Sequence, residues 1–241
     1  MQQALVVGAG GGIGQAMSRR WAQSPGFSTV WGVSRSLISA GDVYPSTLHP
    51  LATDHSEQGI RGAVEQILEA SPALSRVVIS LGTLHGASYQ PEKSLGALNG
   101  AAMQQVHWVN CVLPLLWLAA LAPGLRRNKD CRIAVLSARV GSISDNNLGG
   151  WYSYRSAKAA LNMGLKCAAI ELARQARGTK LMAYHPGTVD TTLSRPFQRG
   201  VPEGKLFTPE YAAECLDTVL DSQTPDGELA YLDWAGKEIP W

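Results

Sequence analysis

Tyr154 and Lys158 lie four positions apart in a segment with helical periodicity. The spacing of Ala157 and Leu161 within it predicts a helix from Tyr152 to Arg174. Residues four apart share a helix face, so both side chains emerge together. A free tyrosine, with a pKa of about 10, exchanges protons poorly at neutral pH, and a lysine cation one turn away favours the phenolate. The pair predicts acid–base chemistry at Tyr154; the alternative is a packed tyrosine beside a solvated lysine.

A glycine-rich turn follows the apolar run Ala4 to Val7 directly and precedes another helical pattern. Gly8, Gly12 and Gly14 fit the spacing G-x-x-x-G-x-G, whereas Ile13 stands where G-x-G-x-x-G requires glycine. Such a turn lets a pyrophosphate approach the backbone N–H groups at the start of a helix. The strand–turn–helix context predicts nucleotide binding, with a plain flexible loop as the alternative.

The elements that must position these residues are short β-rich runs that alternate with helical segments. This order predicts one doubly wound α/β domain over residues 1–241, with a mostly parallel sheet covered by helices on both faces. The predicted strands are Ala4 to Val7, Thr29 to Val33, Thr47 to Thr53, Arg76 to Leu81, Arg132 to Ser137, Lys180 to Tyr184 and Glu228 to Leu232.

The segment from Thr192 to Phe207 is the least regular part of the chain, because its prolines and glycines prevent a long helix. It is either a loop over a substrate cleft or a surface connection. Thr208 follows it as the predicted N-cap of another helix.

Composition excludes several other classes of protein. The 241 residues have a net charge of +2 and no run of like charge, which argues against a nucleic-acid partner. The apolar run Val112 to Ala122 is too short to span a bilayer and contains Pro114, so a buried helix and no membrane role are expected. The N-terminus lacks signal-peptide features, which predicts a cytoplasmic location. We predict no metal site.

Taken together, these motifs resemble the short-chain dehydrogenase/reductase family over nearly the whole chain. The glycine turn with Ile13 resembles its G-x-x-x-G-I-G motif, and Tyr154 and Lys158 its Y-x-x-x-K motif. The resemblance implies a Rossmann-type fold and a nicotinamide cofactor, with Lys158 also bonding the nicotinamide ribose. Further cofactor positions implied by the resemblance are Asp54, Gly82, Pro186, Gly187, Val189 and Thr191. Where the family has N-N-A-G, this chain reads I-S-L-G at 79–82, so that motif's asparagine contacts are not transferred.

Asn110 resembles the helix asparagine of the family's catalytic tetrad, which implies that its backbone holds a water in a proton relay through the lysine. Pro114 lies four residues later and cannot donate to the Asn110 carbonyl, so we expect the helix to bend there. A kink that only improves packing is the alternative.

Within the family, the segments around residues 137–143 and 149–155 look most like the C-factor and sniffer-type carbonyl reductases. The usual catalytic serine is replaced by Ala138. Ser137 should point to the opposite face of its strand, whereas Ser142 lies in a loop twelve positions before Tyr154. We therefore predict that Ser142 stabilises the substrate oxygen, with a turn-capping serine as the alternative.

The end of the second predicted strand indicates which nicotinamide cofactor is bound. No acidic residue occurs before Asp42, so the carboxylate that would bind a ribose 2′-hydroxyl is missing. Arg35 follows the strand instead and can clamp a 2′-phosphate. The sequence therefore predicts NADP.

The expected function is NADPH-dependent hydride transfer to the carbonyl of a small aldehyde, ketone or quinone. The alternatives are a non-catalytic nucleotide-binding signalling protein of C-factor type, or a domain that binds an unrelated nucleotide. The family resemblance also implies a homodimer or homotetramer built on the long helices.

Overall fold

The computed structural model describes residues 1–36 and 45–241, and within these ranges strands and helices alternate as predicted. The boundaries of the seven predicted strands differ from the observed ones by no more than two residues. The strands are β1 (Gln2–Val7), β2 (Phe27–Ser34), β3 (Leu48–Ala52), β4 (Leu74–Ile79), β5 (Cys131–Leu136), β6 (Thr179–His185), β7 (Thr188–Val189), β8 (Leu206–Phe207) and β9 (Leu229–Asp233). The helices are α1 (Gly12–Gln23), α2 (Glu57–Ala70), α3 (Gly100–His107), α4 (Leu113–Leu125), α5 (Tyr152–Gln175) and α6 (Pro209–Ser222).

Seven of the described strands form one parallel sheet in the order β3-β2-β1-β4-β5-β6-β9. The chain runs outward to one side from β1 and then to the other side from β4. Connections of opposite direction leave a crevice at the carboxyl ends of these two strands, where open α/β sheets bind ligands. The doubly wound Rossmann-type fold is therefore confirmed.

The core lies on both faces of the sheet, since side chains along each buried strand alternate between the faces. One face packs against α2, α4 and α5 and includes Ile133 of β5 and Trp117 of α4. The other face packs against α1 and α6 and includes Ala134 of β5 and Trp21 of α1. This sandwich fixes α1 and α5, the two helices with the sequence motifs, against the sheet.

Helices α3 and α4 are joined without a loop by a π turn at Trp108–Val112, in which the Leu113 N–H donates to the Trp108 carbonyl. Just before Pro114, where a bend is expected from the sequence, the structure thus has one wider turn; the bend itself stays a prediction. The whole segment, Gly100–Leu125, is long and apolar enough to cross a membrane by length and composition. Its residues Trp117 and Leu121 are fully buried in the core on one face of the sheet, and 39% of its apolar window is buried inside the structure.

The segment Thr192 to Phe207 contains no long helix, as predicted. A six-residue 3₁₀ turn covers Arg195–Gly200, and the segment ends in β8, which pairs with β7. Thr208 then caps α6 as predicted, because its Oγ1 accepts a hydrogen bond from the Tyr211 N–H at 3.1 Å.

Candidate active site

The glycine turn between β1 and α1 is too tight for side chains at two of its positions. Gly8 has φ +89°, a conformation that favours glycine. A Cβ on Gly14 would lie 2.2 Å from the Gly8 carbonyl oxygen. Ser80 closes the turn from the end of β4, since its Oγ donates to the Val7 carbonyl at 2.8 Å. This serine lies within the I-S-L-G segment at 79–82, and no sequence motif indicates its role.

The N-terminus of α1 is open to an anionic ligand. Its N-cap residue, Gly11, is exposed and has no side chain that could accept a hydrogen bond from the first N–H groups. The first turn also contains no acidic residue. The first N–H groups of a helix need acceptors, which a phosphate can supply. Thr191 borders this turn, because a Cβ on Gly12 would lie 2.7 Å from its Cγ2.

The segment after β6 approaches the same turn. Gly187 has φ +76°, and a Cβ there would lie 2.7 Å from the Phe207 ring. Val189 is buried, and its carbonyl accepts a hydrogen bond from Ser194 Oγ at 2.5 Å. The structure thus brings the predicted segment 186–191 beside the glycine turn.

Arg35 and Asp54 are exposed at the carboxyl ends of the adjacent strands β2 and β3. Hydrogen bonds from Ser56 lower the pKa of Asp54. His55, next to Asp54 in the chain, is buried, and its Nδ1 accepts a hydrogen bond from the Trp117 indole at 3.1 Å. Burial lowers the pKa of His55, and the Arg35 charge lowers it further while Asp54 opposes both. Arg35 and Asp54 therefore flank one corner of the crevice.

Asn110 is fully buried in the π turn and connects it to the chain after β4. Its Nδ2 donates to the Thr83 carbonyl at 2.7 Å, and its Oδ1 accepts from the Thr83 N–H at 3.1 Å. A Cβ on Gly82 would lie 3.2 Å from Asn110 Oδ1 and 4.0 Å from Lys158 Nζ. Three sequence-predicted residues from three different elements therefore meet at this point.

Lys158 is 2% exposed, and its Nζ donates to the Leu136 carbonyl at the end of β5, at 2.7 Å. Among the described residues no carboxylate forms an ion pair with it. Burial consequently lowers the pKa of Lys158 to about 7. At neutral pH the amine is near its midpoint and can both donate and accept a proton.

Tyr154 emerges on the same face of α5, with Lys158 Nζ 5.9 Å from the centre of its ring. From the spacing alone, the lysine cation is expected to lower the pKa of the tyrosine, and that expectation is wrong for this structure. Burial raises the pKa of Tyr154, and the nearby Tyr231 raises it further. The Lys158 amine is bonded to a backbone carbonyl and has itself lost much of its charge. Tyr154 therefore stays protonated at neutral pH, as a proton donor must be.

The three positions considered for the serine differ in their contacts. The Ser137 hydroxyl donates to Asn162 Oδ1 at 2.6 Å. Asn162 lies two helical turns after Tyr154 in α5, which places the two residues about 12 Å apart along the helix axis. Ala138 is buried, and its carbonyl accepts from the Tyr231 hydroxyl at 2.7 Å. Ser142 is 2% exposed, and its Oγ accepts from the Asp145 N–H at 3.1 Å. That contact is the turn-capping role named as the alternative, although it leaves the hydroxyl proton free to donate.

The N-terminus of α5 is held by a residue that sequence reasoning missed. Glu92 is buried, and its carboxylate accepts hydrogen bonds from the Ser153 N–H at 3.2 Å and from the Ser153 hydroxyl. Its carbonyl also accepts from the Trp151 N–H at 2.6 Å. Trp151 has φ 52° and ψ 41°, a left-handed conformation that costs a bulky residue on the order of 1–3 kcal/mol. In the sequence, only the pair Gly149 and Gly150, both at positive φ, indicates an unusual backbone before α5.

The segment 192–207 folds back towards these residues. The Thr192 carbonyl contacts His85 Nε2 at 3.1 Å, and the Leu193 Cδ1 lies 3.8 Å from the position of a Cβ on Gly82. The Phe197 ring packs against Trp151, with 5.3 Å between ring centres. The irregular segment thus contacts both the loop after β4 and the start of α5.

Comparison with known proteins agrees with this geometry. The family model for short chain dehydrogenase matches residues 2–201. C-signal of Myxococcus xanthus is 34% identical over 148 residues, which cover 61% of this chain and 84% of that protein. The 1-hydroxy-2-glutathionyl-2-methyl-3-butene dehydrogenase of Rhodococcus sp. (strain AD45) is 28% identical over the full length of both chains.

Solved structures share the fold. The carbonyl reductase Sniffer of D. melanogaster superposes with a TM-score of 0.85 at 18% identity and covers all of both chains. The glycine turn, the Tyr154 and Lys158 pair and the family match over residues 2–201 agree with one another. The chain therefore belongs to the short-chain dehydrogenase family of oxidoreductases.

Proposed function

We propose that this protein is an NADPH-dependent carbonyl reductase that converts a small aldehyde, ketone or quinone to the corresponding alcohol or hydroquinone. The observation that supports it best is that Lys158 Nζ lies at the carboxyl edge of the sheet beside both the Tyr154 ring and the contact of Asn110 with Gly82. A binding module has no chemical need for a buried acid–base pair at that place.

The chain has residues that fit the cofactor. The N–H groups at the start of α1 suit a pyrophosphate, and Thr191 of the predicted cofactor segment packs closely against Gly12 in this turn. Arg35 is exposed at the end of β2, where a guanidinium can bind a 2′-phosphate in a bidentate way. When bound, the reduced nicotinamide supplies a hydride, which is two electrons and one hydrogen nucleus.

Tyr154 supplies the proton in this proposal. As hydride bonds to the carbonyl carbon, the π electrons of the C=O bond move to oxygen, and the Tyr154 hydroxyl protonates that oxygen. The product is an alcohol, and the phenolate left behind recovers a proton from the Lys158 ammonium. Because the pKa of Lys158 lies near 7, the amine regains a proton readily at neutral pH. Asn110 holds the π turn against Thr83, where the family resemblance implies a relay water.

The test is oxidation of NADPH, followed by absorbance, with a panel of carbonyl compounds. Replacement of Tyr154 by Phe removes only the donor, so we expect kcat to fall about 10²- to 10⁴-fold while NADPH still raises the melting temperature. Tyr152→Phe, in the first turn of the same helix, is the matched control and should keep full turnover.

Unchanged turnover in Tyr154→Phe would contradict the assignment. An NADPH-dependent thermal shift with no turnover of any carbonyl compound would contradict the reductase proposal and favour the signalling alternative. Absence of both would favour an unrelated nucleotide.

A further inference from the structure

An aromatic wall, formed by His85, Trp151 and Phe197, stands beside Tyr154. The His85 and Phe197 ring centres are 5.8 Å apart, those of Phe197 and Trp151 5.3 Å, and those of Trp151 and Tyr154 6.3 Å. All the contacts are edge-to-face, the arrangement that aromatic pairs prefer. The three wall rings come from the loop after β4, the start of α5 and the segment 192–207, so distant parts of the chain build one surface.

The wall residues are neither fully buried nor fully exposed. Rings that only completed the core would be covered, whereas these three pack on one another and still expose part of their surface. Partial exposure next to the proton donor leaves apolar ring surface open to a bound molecule. The wall therefore has the composition of a binding surface, with aromatic rings and few polar groups.

The chain holds Trp151 in this place against its backbone preference. The left-handed conformation at a tryptophan persists only where the surroundings determine it. Here the Trp151 N–H donates to the Glu92 carbonyl at 2.6 Å, while the Glu92 carboxylate accepts from Ser153 two residues later. These contacts fix the ring beside Tyr154.

Two charged groups beside Trp151 are engaged with the protein itself, whereas Arg195 and Arg199, two residues on either side of Phe197, are exposed to solvent. The Glu92 carboxylate is taken up by Ser153. Arg155 directs its guanidinium to the Gly149 and Gly150 carbonyls at 3.2 and 3.1 Å. A neutral substrate with flat apolar surface suits these surroundings better than a charged or sugar-like one.

We infer that the substrate is an aryl aldehyde or aryl ketone, whose ring lies on Trp151 and Phe197 while its carbonyl oxygen faces Tyr154. This inference rests on the proposed reductase function and adds the substrate class. The reaction stays balanced: the carbonyl gains a hydride from NADPH and a proton from Tyr154, giving the aryl carbinol and NADP⁺.

The competing interpretation is that Phe197 only latches the segment 192–207 in place. If Phe197 only holds the segment in place, its loss should reduce activity equally on every substrate. If it contacts the substrate, the loss should be larger for substrates with an aromatic ring. The test therefore uses matched pairs: benzaldehyde with cyclohexanecarbaldehyde, and acetophenone with cyclohexyl methyl ketone. Intrinsic reactivity cancels when each variant is compared with the wild type on the same compound.

Phe197→Leu removes the ring and keeps an apolar side chain. We expect kcat/KM for the aryl member of each pair to fall roughly 2- to 12-fold, the range of one aromatic contact, with little change for the cyclohexyl member. Phe197→Tyr keeps the ring and should retain the wild-type ratio. Arg199→Ala, an exposed position of the same 3₁₀ turn, controls for disturbance of the segment and should also retain it.

Equal losses on both members of a pair, or an unchanged aryl preference in Phe197→Leu, would overturn the inference. If no compound is reduced, the reductase proposal fails, and binding measurements alone then test whether the wall contacts an aryl ring. Dissociation constants of acetophenone and cyclohexyl methyl ketone, measured by saturation-transfer NMR with and without NADP⁺, then decide. Tighter acetophenone binding that is lost in Phe197→Leu supports the wall, and equal binding refutes it.

Discussion

Cationic side chains at the amino and carboxyl edges of the parallel sheet have different partners: carboxylates at the amino edge and a backbone carbonyl at the carboxyl edge. At the amino edge, Arg76, Arg132 and Lys180 lie in register on β4, β5 and β6 and therefore on one face. Each has a carboxylate: Asp221 at 2.9 Å, Asp130 at 3.1 Å and Asp226 at 2.7 Å, respectively. At the carboxyl edge, Lys158 is as buried as Lys180 but donates to a backbone carbonyl.

This difference separates a structural cation from a chemical one. A buried charge costs free energy unless it is paired, and an unpaired lysine responds by shifting its pKa. The paired row at the amino edge supports the sheet, and partial exposure of its carboxylates limits the desolvation cost. The unpaired Lys158 is a place where stability is given up for a proton-exchanging group with a pKa of about 7.

The largest effect is expected for Lys158→Met, which removes the unpaired amine. Turnover should fall at least about 100-fold, because Tyr154 loses its proton source. The unfolded chain, with an ordinary lysine pKa near 10.5, binds more protons than the folded one between about pH 7 and 10.5, so wild-type stability rises with pH across that window. The variant lacks this slope and should be the more stable protein.

Urea unfolding at pH 6 and pH 9 measures this difference. The margin of Lys158→Met over the wild type should be larger at pH 6, where the buried amine is charged in the folded state. A variant that is less stable than the wild type at pH 6 would contradict the unpaired-cation interpretation.

The next effect concerns the serine at the same edge. Loss of one hydrogen bond to a developing oxyanion typically costs roughly 10²- to 10³-fold in turnover, so Ser142→Ala should lose about that much. Ser137→Ala should lose far less, since its hydroxyl is bonded to Asn162. Steady-state kcat for both variants, with circular dichroism to confirm folding, is the measurement. If Ser137→Ala is the more damaging, or neither matters, Ser142 is the wrong residue.

Arg35→Asp tests whether the charge at the end of β2 selects the cofactor. A charge-assisted hydrogen bond contributes about 1.5–3 kcal/mol, so the preference should move from NADPH towards NADH by roughly 10- to 160-fold. Arg35→Gln removes the charge without adding a carboxylate and should weaken NADPH without favouring NADH. The measurement is kcat/KM for both cofactors. A wild type that already prefers NADH would refute the premise.

The smallest effect is expected for Lys180→Met, the paired counterpart of Lys158→Met. Asp226 is half exposed and stays solvated, so the free energy of unfolding should fall by only about 1 kcal/mol, with turnover unchanged. A double-mutant cycle with Asp226→Asn isolates the pair. A loss of turnover comparable to that of Lys158→Met would remove the distinction between the two edges.

The sequence predicts the strands, α5 and the glycine turn well, because each has a local signature: a hydrophobic period, a cap or a required glycine. Position 54 and the segment 186–191 were placed only by family resemblance. Glu92 and Ser80 act through partners more than sixty residues away, and apart from the glycine pair before α5 no local pattern marks such contacts. Likewise, the pKa of Lys158 depends on burial by the folded chain, so the sequence alone suggested a full cation.

The π turn at Trp108–Val112 also limits which changes of chain length the protein can tolerate. A π turn is equivalent to an α-helix with one extra residue, so it rotates everything before it by about 100° relative to everything after it. Deletion of one residue there would restore a regular helix and turn either Val106 or Leu113 out of the core. It would also move Asn110 out of register with Thr83. We therefore expect that this helical segment does not tolerate the loss or gain of a single residue, whereas the exposed loops at the sheet's edges can lengthen or shorten.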